Sequence, residues 1–116
     1  MANIVRSDFE ERLVALHRAI DALRAELANF KKASGKTAAL VDRGEDIVDA
    51  LAYVNGPKMR HDLADALREF EEQRQRTRIA ILALGQQQGA SLSQVGRQLG
   101  ISRQLASRLA ADGDLP

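Results

Sequence analysis

Four side chains near the end of the chain carry hydrogen-bonding groups at a spacing that brings them together on a helix. Arg103 and Gln104 are adjacent, and Ser107 and Arg108 follow one helical turn later. An arginine guanidinium forms two parallel hydrogen bonds with guanine O6 and N7, and a glutamine amide pairs in the same way with adenine N6 and N7. The residues predicted to contact base edges are therefore Arg103, Gln104, Ser107 and Arg108.

A second set of polar residues lies close to these four along the chain. Hydroxyl, amide and guanidinium groups hydrogen-bond with phosphate oxygens, and the free backbone amides at a helix start favour an anion. The predicted phosphate contacts are Ser91, Gln94, Arg97, Ser102, Arg74 and Arg78. For the arginines around residue 76 the alternative is a solvated helix face, because Glu72 stands four residues before Arg76 and is placed for an ion pair.

Local signals place these residues on two short helices joined by a tight turn. Ser91 and Gln94 form a capping box that starts a helix, and Gly100 suits the left-handed conformation that ends it. Ser102 then caps a second helix, which runs to about Ala111. The inward-facing set is Val95, Leu99, Ile101, Leu105 and Leu109, with the small residues Gly96 and Ala106 where the helices meet. Two short helices joined by Gly-Ile-Ser form a helix-turn-helix.

This region, residues 89–110, resembles the helix-turn-helix superfamily of bacterial DNA-binding proteins in its run GASLSQVGRQLGISRQLASRLA. It is similar to the subset found in sigma-factor-like domains and in the DNA-binding ends of site-specific recombinases. The resemblance implies a trihelical unit over residues 74–111, whose last helix, Arg103–Ala111, enters the major groove. The sequence departs from the family's usual small alanine at Gly96, and residues 1–72 resemble no family.

The upstream sequence predicts further helices, and the fold class is therefore all-α. Ser7 and Glu10 form a capping box for a first helix, which Ser34 and Gly35 end. The apolar residues of this helix repeat at alternating steps of four and three, the heptad pattern of a helix–helix seam. The seam consists of Phe9, Leu13, Leu16, Ile20, Leu23, Leu27 and Phe30. Such a stripe must be buried, either against other helices of the chain or against a second copy.

Two more helices are predicted between this first helix and the helix-turn-helix. Thr37 caps one of them, and Pro57 opens the other, which continues unbroken toward the helix-turn-helix. A polar stretch over residues 71–78 has no apolar anchor, which is typical of a solvent-exposed bridge between two packed units. We therefore predict a long helical hairpin or bundle that serves dimerisation over residues 1–72, and a helix-turn-helix DNA-binding domain over residues 73–116.

Composition and charge narrow the function classes. A single Tyr, three Phe and no Trp exclude an aromatic base-stacking surface, and the absence of Cys excludes a thiol nucleophile. Residues 1–72 carry 11 basic and 14 acidic groups, whereas residues 73–116 carry six arginines and two aspartates. A polyanion site is expected in the basic part. No apolar run nears the ~20 residues that span a bilayer and no signal peptide is visible, so a cytoplasmic, nucleoid location is expected.

One group of carboxylates raises an enzymatic alternative. Asp42, Glu45, Asp46 and Asp49 have helical spacing, and paired helical carboxylates hold Mg²⁺ in all-α nucleotide pyrophosphohydrolases. No basic cluster with a glycine-rich loop lies nearby to receive a triphosphate, so a solvated acidic face is the favoured interpretation. We predict no catalytic residue, no metal site, no cofactor and no enzymatic activity.

Together these patterns favour sequence-specific binding of double-stranded DNA by a homodimeric transcription regulator from a bacterium, phage or plasmid. A two-fold dimer would place two recognition helices in successive major grooves, about 34–36 Å apart. One alternative is a nucleoid-associated, architectural DNA binder with weak sequence preference. Another is a helical adaptor whose N-terminal helices bind a different protein.

Overall fold

The computed structural model describes residues 2–114, which fold into five helices joined by short connections. The helices are α1 (Ala2–Asp42), α2 (Ile47–Tyr53), α3 (Gly56–Gln87), α4 (Leu92–Leu99) and α5 (Arg103–Asp114). No strand occurs in this part of the chain, which confirms the predicted all-α class. The long third helix is unbroken, as its sequence predicts.

The helices form two compact units, and α1 and α3 each contribute a segment to both. The first unit combines the chain up to His17 with the chain from Glu71 onward, and so contains α4 and α5. The second unit is Arg18–Phe70 and contains α2. The boundary expected between residues 72 and 73 leaves the start of α1 outside the helix-turn-helix part, whereas the structure groups that segment with it.

The helix α1 begins well before the predicted capping box, so the prediction that Ser7 caps it is wrong. Ser7 lies within the helix. Glu10, the other member of the predicted box, pairs instead with Arg6 at 3.6 Å across one helical turn. Val5 is half-buried and stands four residues before Phe9. The apolar stripe therefore extends past the capping signal, and the helix extends with it.

The helix α1 also continues through Ser34 and Gly35, so the predicted end at these residues is wrong. The Ser34 hydroxyl donates to the Phe30 carbonyl at 2.8 Å, and the Thr37 hydroxyl donates to the Ala33 carbonyl at 2.9 Å. Bonds to carbonyls one turn back satisfy polar side chains without breaking a helix, and an internal glycine costs only about 1 kcal/mol. Thr37 consequently lies inside α1 and does not cap α2, contrary to prediction.

The chain leaves α1 at Gly44, whose φ of +103° lies in the region that favours glycine. The Gly44 amide donates to the Val41 carbonyl at 3.0 Å, and the Glu45 amide donates to the Leu40 carbonyl at 3.0 Å. These two bonds define a Schellman motif. The same pair of bonds, again with glycine at positive φ, follows the end of α3 at Gly89.

The short helix α2 begins at an aspartate cap. The Asp46 carboxylate accepts a hydrogen bond from the Asp49 amide at 3.0 Å, which satisfies one of the amides left free at a helix start. Asp42 is the last residue of α1, and Glu45 lies in the connection. The expectation that these four acids share one helical face is therefore wrong.

Several charged side chains at the beginning of α3 form ion pairs within the helix. Asn55 precedes it with a φ of +54°, and the Asn55 side-chain oxygen accepts from the Lys58 amide at 3.4 Å. The Lys58 ammonium group donates to Asp62 at 2.6 Å, and this hydrogen bond raises the pKa of Lys58 above its ordinary value. One turn later Arg68 pairs with Asp65 at 3.1 Å.

The two units differ in how much apolar side chain they bury. In the first unit Leu82, Ala106 and Leu109 form a buried cluster. In the second unit, as far as the structure describes it, the buried side chains are those of Ala19 and Ala50. The larger apolar residues of the second unit remain half-buried or exposed.

Candidate nucleic-acid interface

A three-residue connection joins α4 to α5, and two backbone hydrogen bonds fix its geometry. Gly100 has a φ of +74°. Its amide donates to the Arg97 carbonyl at 3.2 Å, and the Ile101 amide donates to the Gly96 carbonyl at 2.9 Å. This is another Schellman motif, in which the left-handed residue that turns the chain is a glycine. The conformation predicted for Gly100 is confirmed.

Both helices of the motif begin at serine caps. The Ser91 hydroxyl accepts from the Gln94 amide at 3.1 Å, and the Gln94 side-chain oxygen accepts from the Ser91 amide at 2.8 Å, which completes the predicted capping box. The Ser102 hydroxyl accepts from the Leu105 amide at 3.1 Å. The end of α4 and the start of α5 therefore lie where the sequence predicts them, whereas α5 continues to Asp114, so its predicted end near Ala111 is wrong.

A shared core holds α4 and α5 against the end of α3. Leu82 of α3 and Ala106 and Leu109 of α5 are fully buried. The partly buried residues that pack against them are Ile79, Leu92, Val95, Leu99, Ile101 and Leu105. Gly96 is buried where the two short helices meet, since a Cβ there would lie 3.2 Å from the Ala106 Cβ. All residues predicted to face inward belong to this core or pack against it.

The opposite face of α5 is exposed and carries the predicted base-contacting residues. A shallow concavity of about 620 Å³ is lined by Ser102, Arg103, Gln104, Ser107 and Arg108. All five side chains are exposed. Because Ala106 and Leu109 are buried on the other side, core packing decides which face of α5 meets solvent. The structure thus brings the four predicted base readers and one predicted phosphate contact onto one surface.

Among the described residues, no carboxylate pairs with the arginines of α4 and α5. Residues 73–111 contain neither Asp nor Glu, and among the described residues no ion pair involves Arg97, Arg103 or Arg108. All three side chains are exposed. Their guanidinium groups are therefore free to pair with an external anion or hydrogen-bond acceptor.

The arginines at the centre of α3 are engaged within their own helix. Arg74 pairs with Glu71 at 3.0 Å, and Arg76 pairs with Glu72. Arg78 is half-buried and donates to a glutamine side chain at 3.3 Å. For Arg74 and Arg76 the structure therefore has the ion-paired helix face that was the alternative to phosphate contact.

The sequence did not identify the polar residues that support this unit from inside. Gln73 and Thr77 are only 8 % and 3 % exposed, so the prediction of a fully solvated bridge over residues 71–78 is wrong. The Thr77 hydroxyl donates to the Gln73 carbonyl at 2.8 Å and reaches the Arg12 carbonyl of α1 at 3.4 Å. The sequence contains one signal that could have identified them. Gln73 and Thr77 are uncharged and stand four residues apart, one helical turn, within a charged run.

The stripe of apolar residues predicted on the first helix is covered unevenly. Its first five members are half-buried, namely Phe9, Leu13, Leu16, Ile20 and Leu23. The last two, Leu27 and Phe30, are 48 % and 45 % exposed. Packing within the chain therefore covers the beginning of the stripe and leaves its end in contact with water.

No model of a protein family matches the chain, and neither a curated protein nor a solved structure matches it. Within residues 2–114, no helix combines the length and the apolar character needed to cross a membrane. The same residues include no group of three or more histidine, cysteine or acidic side chains placed to hold a metal ion. Function is therefore inferred from the geometry of the α4–α5 surface.

Proposed function

We propose that this protein binds double-stranded DNA in a sequence-specific way, with α5 inserted in the major groove. The observation that carries the proposal is the outer face of α5. Arg103 and Arg108 are exposed there and pair with no carboxylate in the part of the chain that the structure describes, while the inner face of the same helix is held in a core. Such a helix presents hydrogen-bonding groups on a rigid support, which is what a reader of base edges requires.

The side chains on this face match the groups that the major groove displays. The groove is about 12 Å wide and admits one α-helix, and an arginine or glutamine with good bidentate geometry contributes roughly 1–3 kcal/mol of discrimination against a wrong base. Arg103 and Arg108 would select guanine, and Gln104 would select adenine. Ser107 can contact either a base or a phosphate.

The polar groups around α4 would position the protein on the DNA backbone. Phosphate oxygens only accept hydrogen bonds, and the Ser91 and Ser102 hydroxyls accept from backbone amides, which leaves each hydroxyl proton free to be donated. The exposed Arg97 adds a charged donor, and Gln94 adds an amide donor. Such contacts fix the register of a protein on the duplex but carry no sequence information.

The proposed biological role is transcription regulation by a homodimer. A single helix-turn-helix contacts few base pairs, and a genome offers roughly 10⁶–10⁹ competing sites. A two-fold dimer reads an inverted repeat whose half-sites lie about 34–36 Å apart. An inverted repeat in the bound DNA is therefore the expected signature.

Selection of genomic DNA fragments by the purified protein tests this proposal, at about 150 mM salt to match physiological ionic strength. The variant Arg103→Ala/Arg108→Ala removes the two free arginines of α5. The matched control, Arg74→Ala/Arg76→Ala, removes the same charge from the ion-paired face of α3. We expect the wild type and the control to recover one common motif and the α5 variant to lose it.

The expected loss of binding free energy in Arg103→Ala/Arg108→Ala determines how large an effect the selection must detect. Each lost bidentate contact should weaken binding to the selected site by roughly 1–3 kcal/mol, with little effect on the fold. Recovery of DNA without a common motif, still dependent on Arg103 and Arg108, would identify an architectural binder, because a specific regulator prefers its site by ~10³ or more. No enrichment of DNA, or equal enrichment by the α5 variant, would overturn the proposal.

A further inference from the structure

The second unit leaves a large amount of apolar side chain in contact with water. Its exposed large apolar residues are Leu27, Phe30, Val41, Ile47, Val48, Leu51, Tyr53 and Leu67. Contiguous apolar patches, rather than single exposed apolar side chains, mark interaction sites on a monomer.

Four of these residues and the half-buried Met59 line adjoining cavities, and we name this set the Leu51 surface; it consists of Phe30, Val48, Leu51, Tyr53 and Met59. Phe30, Leu51 and Met59 line one cavity of about 260 Å³. A neighbouring cavity of about 560 Å³ shares Leu51 and adds Val48. A third, of about 250 Å³, shares Met59 and adds Tyr53. The Leu51 surface thus lies entirely within the second unit and spans residues of α1, α2 and α3.

Charged residues of opposite sign neighbour members of this surface along the chain, and Lys32 lines the cavity that contains Tyr53. Lys31 and Lys32 follow Phe30 on α1, whereas Glu45 precedes α2 and Asp49 lies in its first turn. Among the described residues these four charges form no ion pair within the chain. The unit as a whole has nine basic and nine acidic residues, so two copies of it would not repel each other through net charge.

We propose that two copies of this chain pair through the Leu51 surface. In a two-fold interface the same patch meets itself, so every contact occurs twice with the roles of the copies exchanged. When α1 of one copy faces α2 of the other, the lysines meet the acids on both sides of a buried apolar centre. A foreign partner of one charge sign would complement only one of the two sets.

A standard stable interface buries roughly 800 Å² on each partner, so pairing through the Leu51 surface must also bury the polar and charged side chains around it. The inference rests on the proposed function in one respect, because reading an inverted repeat requires two copies. Its test, however, requires no DNA.

Sedimentation equilibrium of the full chain measures the pairing directly. The wild type is expected at twice the 12.7 kDa chain mass. Val48 is 71 % exposed, so Val48→Glu removes no buried contact within one copy while it places a charge in the interface of both copies. We expect the dimer dissociation constant to rise by at least about 100-fold. The matched control, Val14→Glu, makes the same change at an exposed position of the first unit and should alter it by less than about threefold.

A charge-exchange experiment tests the two-fold arrangement. The variant Lys31→Glu/Lys32→Glu and the variant Glu45→Lys/Asp49→Lys should each pair poorly with itself, because like charges then face each other. An equimolar mixture of the two should form heterodimers, since both sets of contacts are restored in the mixed pair. Native mass spectrometry distinguishes the three dimers by mass. Failure of the mixture to pair would overturn the proposed arrangement.

Two other outcomes would also overturn the pairing surface. One is a wild type that remains monomeric, and the other is a dimer that Val48→Glu and Val14→Glu weaken equally. Neither result depends on DNA. The fragment selection with Arg103→Ala/Arg108→Ala reports on α5 alone, so a failed pairing surface and a failed DNA interface are distinguished.

Discussion

Gly100 and Gly35 are both glycines, but Gly100 has a left-handed backbone conformation and Gly35 a right-handed helical one. Gly100 has a φ of +74° in the turn between α4 and α5, whereas Gly35 lies inside α1. Apart from the adjoining backbone, a Cβ added at either position would meet nothing within 4 Å. Backbone conformation alone therefore decides what a methyl group does at each site.

We expect Gly100→Ala to lower the free energy of unfolding by about 1–2 kcal/mol, because an alanine pays a steric penalty in the left-handed region. Gly35→Ala should raise it by about 0.5–1 kcal/mol, because alanine is the better helix former. Urea denaturation of the two single variants measures both changes. A Gly100→Ala variant as stable as the wild type would contradict the turn geometry described for α4 and α5.

The sequence identified arginines that can contact DNA, but it did not decide which of them form ion pairs within the chain. The sequence predicts Arg74 and Arg97 as phosphate contacts, and it offers an ion-paired helix face as the alternative only for the arginines around residue 76. In the structure Arg74 pairs with Glu71, one turn earlier on the same helix, whereas no acid occurs within two turns of Arg97. The difference comes from the neighbours that a helix brings within reach, and the unbroken α3 decides between the two sequence alternatives because it brings Glu71 and Arg74 together.

At the scale of elements, α4 and the start of α5 were predictable to the residue, and both ends of α1 were not. The caps at Ser91 and Ser102 and the glycine at Gly100 mark ends that no apolar stripe crosses. Ser7 and Ser34 give similar signals for a helix start and a helix end, but both lie within α1. The apolar stripe of α1 extends beyond Ser7 toward the start of the chain. A cap contributes about 1 kcal/mol, which is less than a helix gains by burying a further turn of apolar side chains.

The contact between α1 and α3 in the first unit yields a matched pair of substitutions. Thr77 and Thr37 each donate to the carbonyl four residues earlier, at 2.8 Å and 2.9 Å, but Thr77 also reaches the Arg12 carbonyl of another helix. Thr77→Val should lower the free energy of unfolding by about 1 kcal/mol, since it removes a buried hydrogen bond and keeps the side-chain shape. Thr37→Val is the control for the bond within the helix.

Thermal or urea unfolding of the two threonine variants isolates the contribution of the contact between helices. The loss for Thr77→Val should exceed the loss for Thr37→Val, because only Thr77 is fully buried. Equal losses would mean that the Arg12 carbonyl contributes nothing to stability.

At the scale of the whole molecule, the two units should differ in local stability. The first unit has a buried cluster at Leu82, Ala106 and Leu109, whereas the buried side chains described in the second are two alanines. Segments with few buried apolar contacts open more readily. The second unit is therefore the part of the chain whose order should depend most on a partner.

Hydrogen exchange in the Val48→Glu variant, in which the proposed pairing is removed, measures this difference. We expect the Leu51 amide of α2 to exchange at least about tenfold faster than the Leu109 amide of α5, after correction for intrinsic rates. In the wild type the same Leu51 amide should be slower than in the variant. Equal protection of Leu51 and Leu109 in the variant would contradict the difference between the units.

The absence of carboxylates from residues 73–111 bears on whether protons are taken up or released when the protein binds DNA. This stretch supplies every proposed DNA contact, and its six arginines are its only ionisable side chains. Arginine keeps its proton throughout the working range of proteins, so the contact region should neither take up nor release protons when it meets DNA. At constant ionic strength we expect equal affinity at about pH 6 and about pH 9.

Calorimetry in buffers of different ionisation enthalpy checks this expectation, because the heat of binding should not depend on the buffer. A buffer-dependent heat would mean that a histidine, lysine or carboxylate elsewhere in the chain responds to the DNA. Counterion release makes affinity fall steeply with salt. The affinity of the proposed interface for DNA should therefore stay the same when the pH changes and should fall when the ionic strength rises.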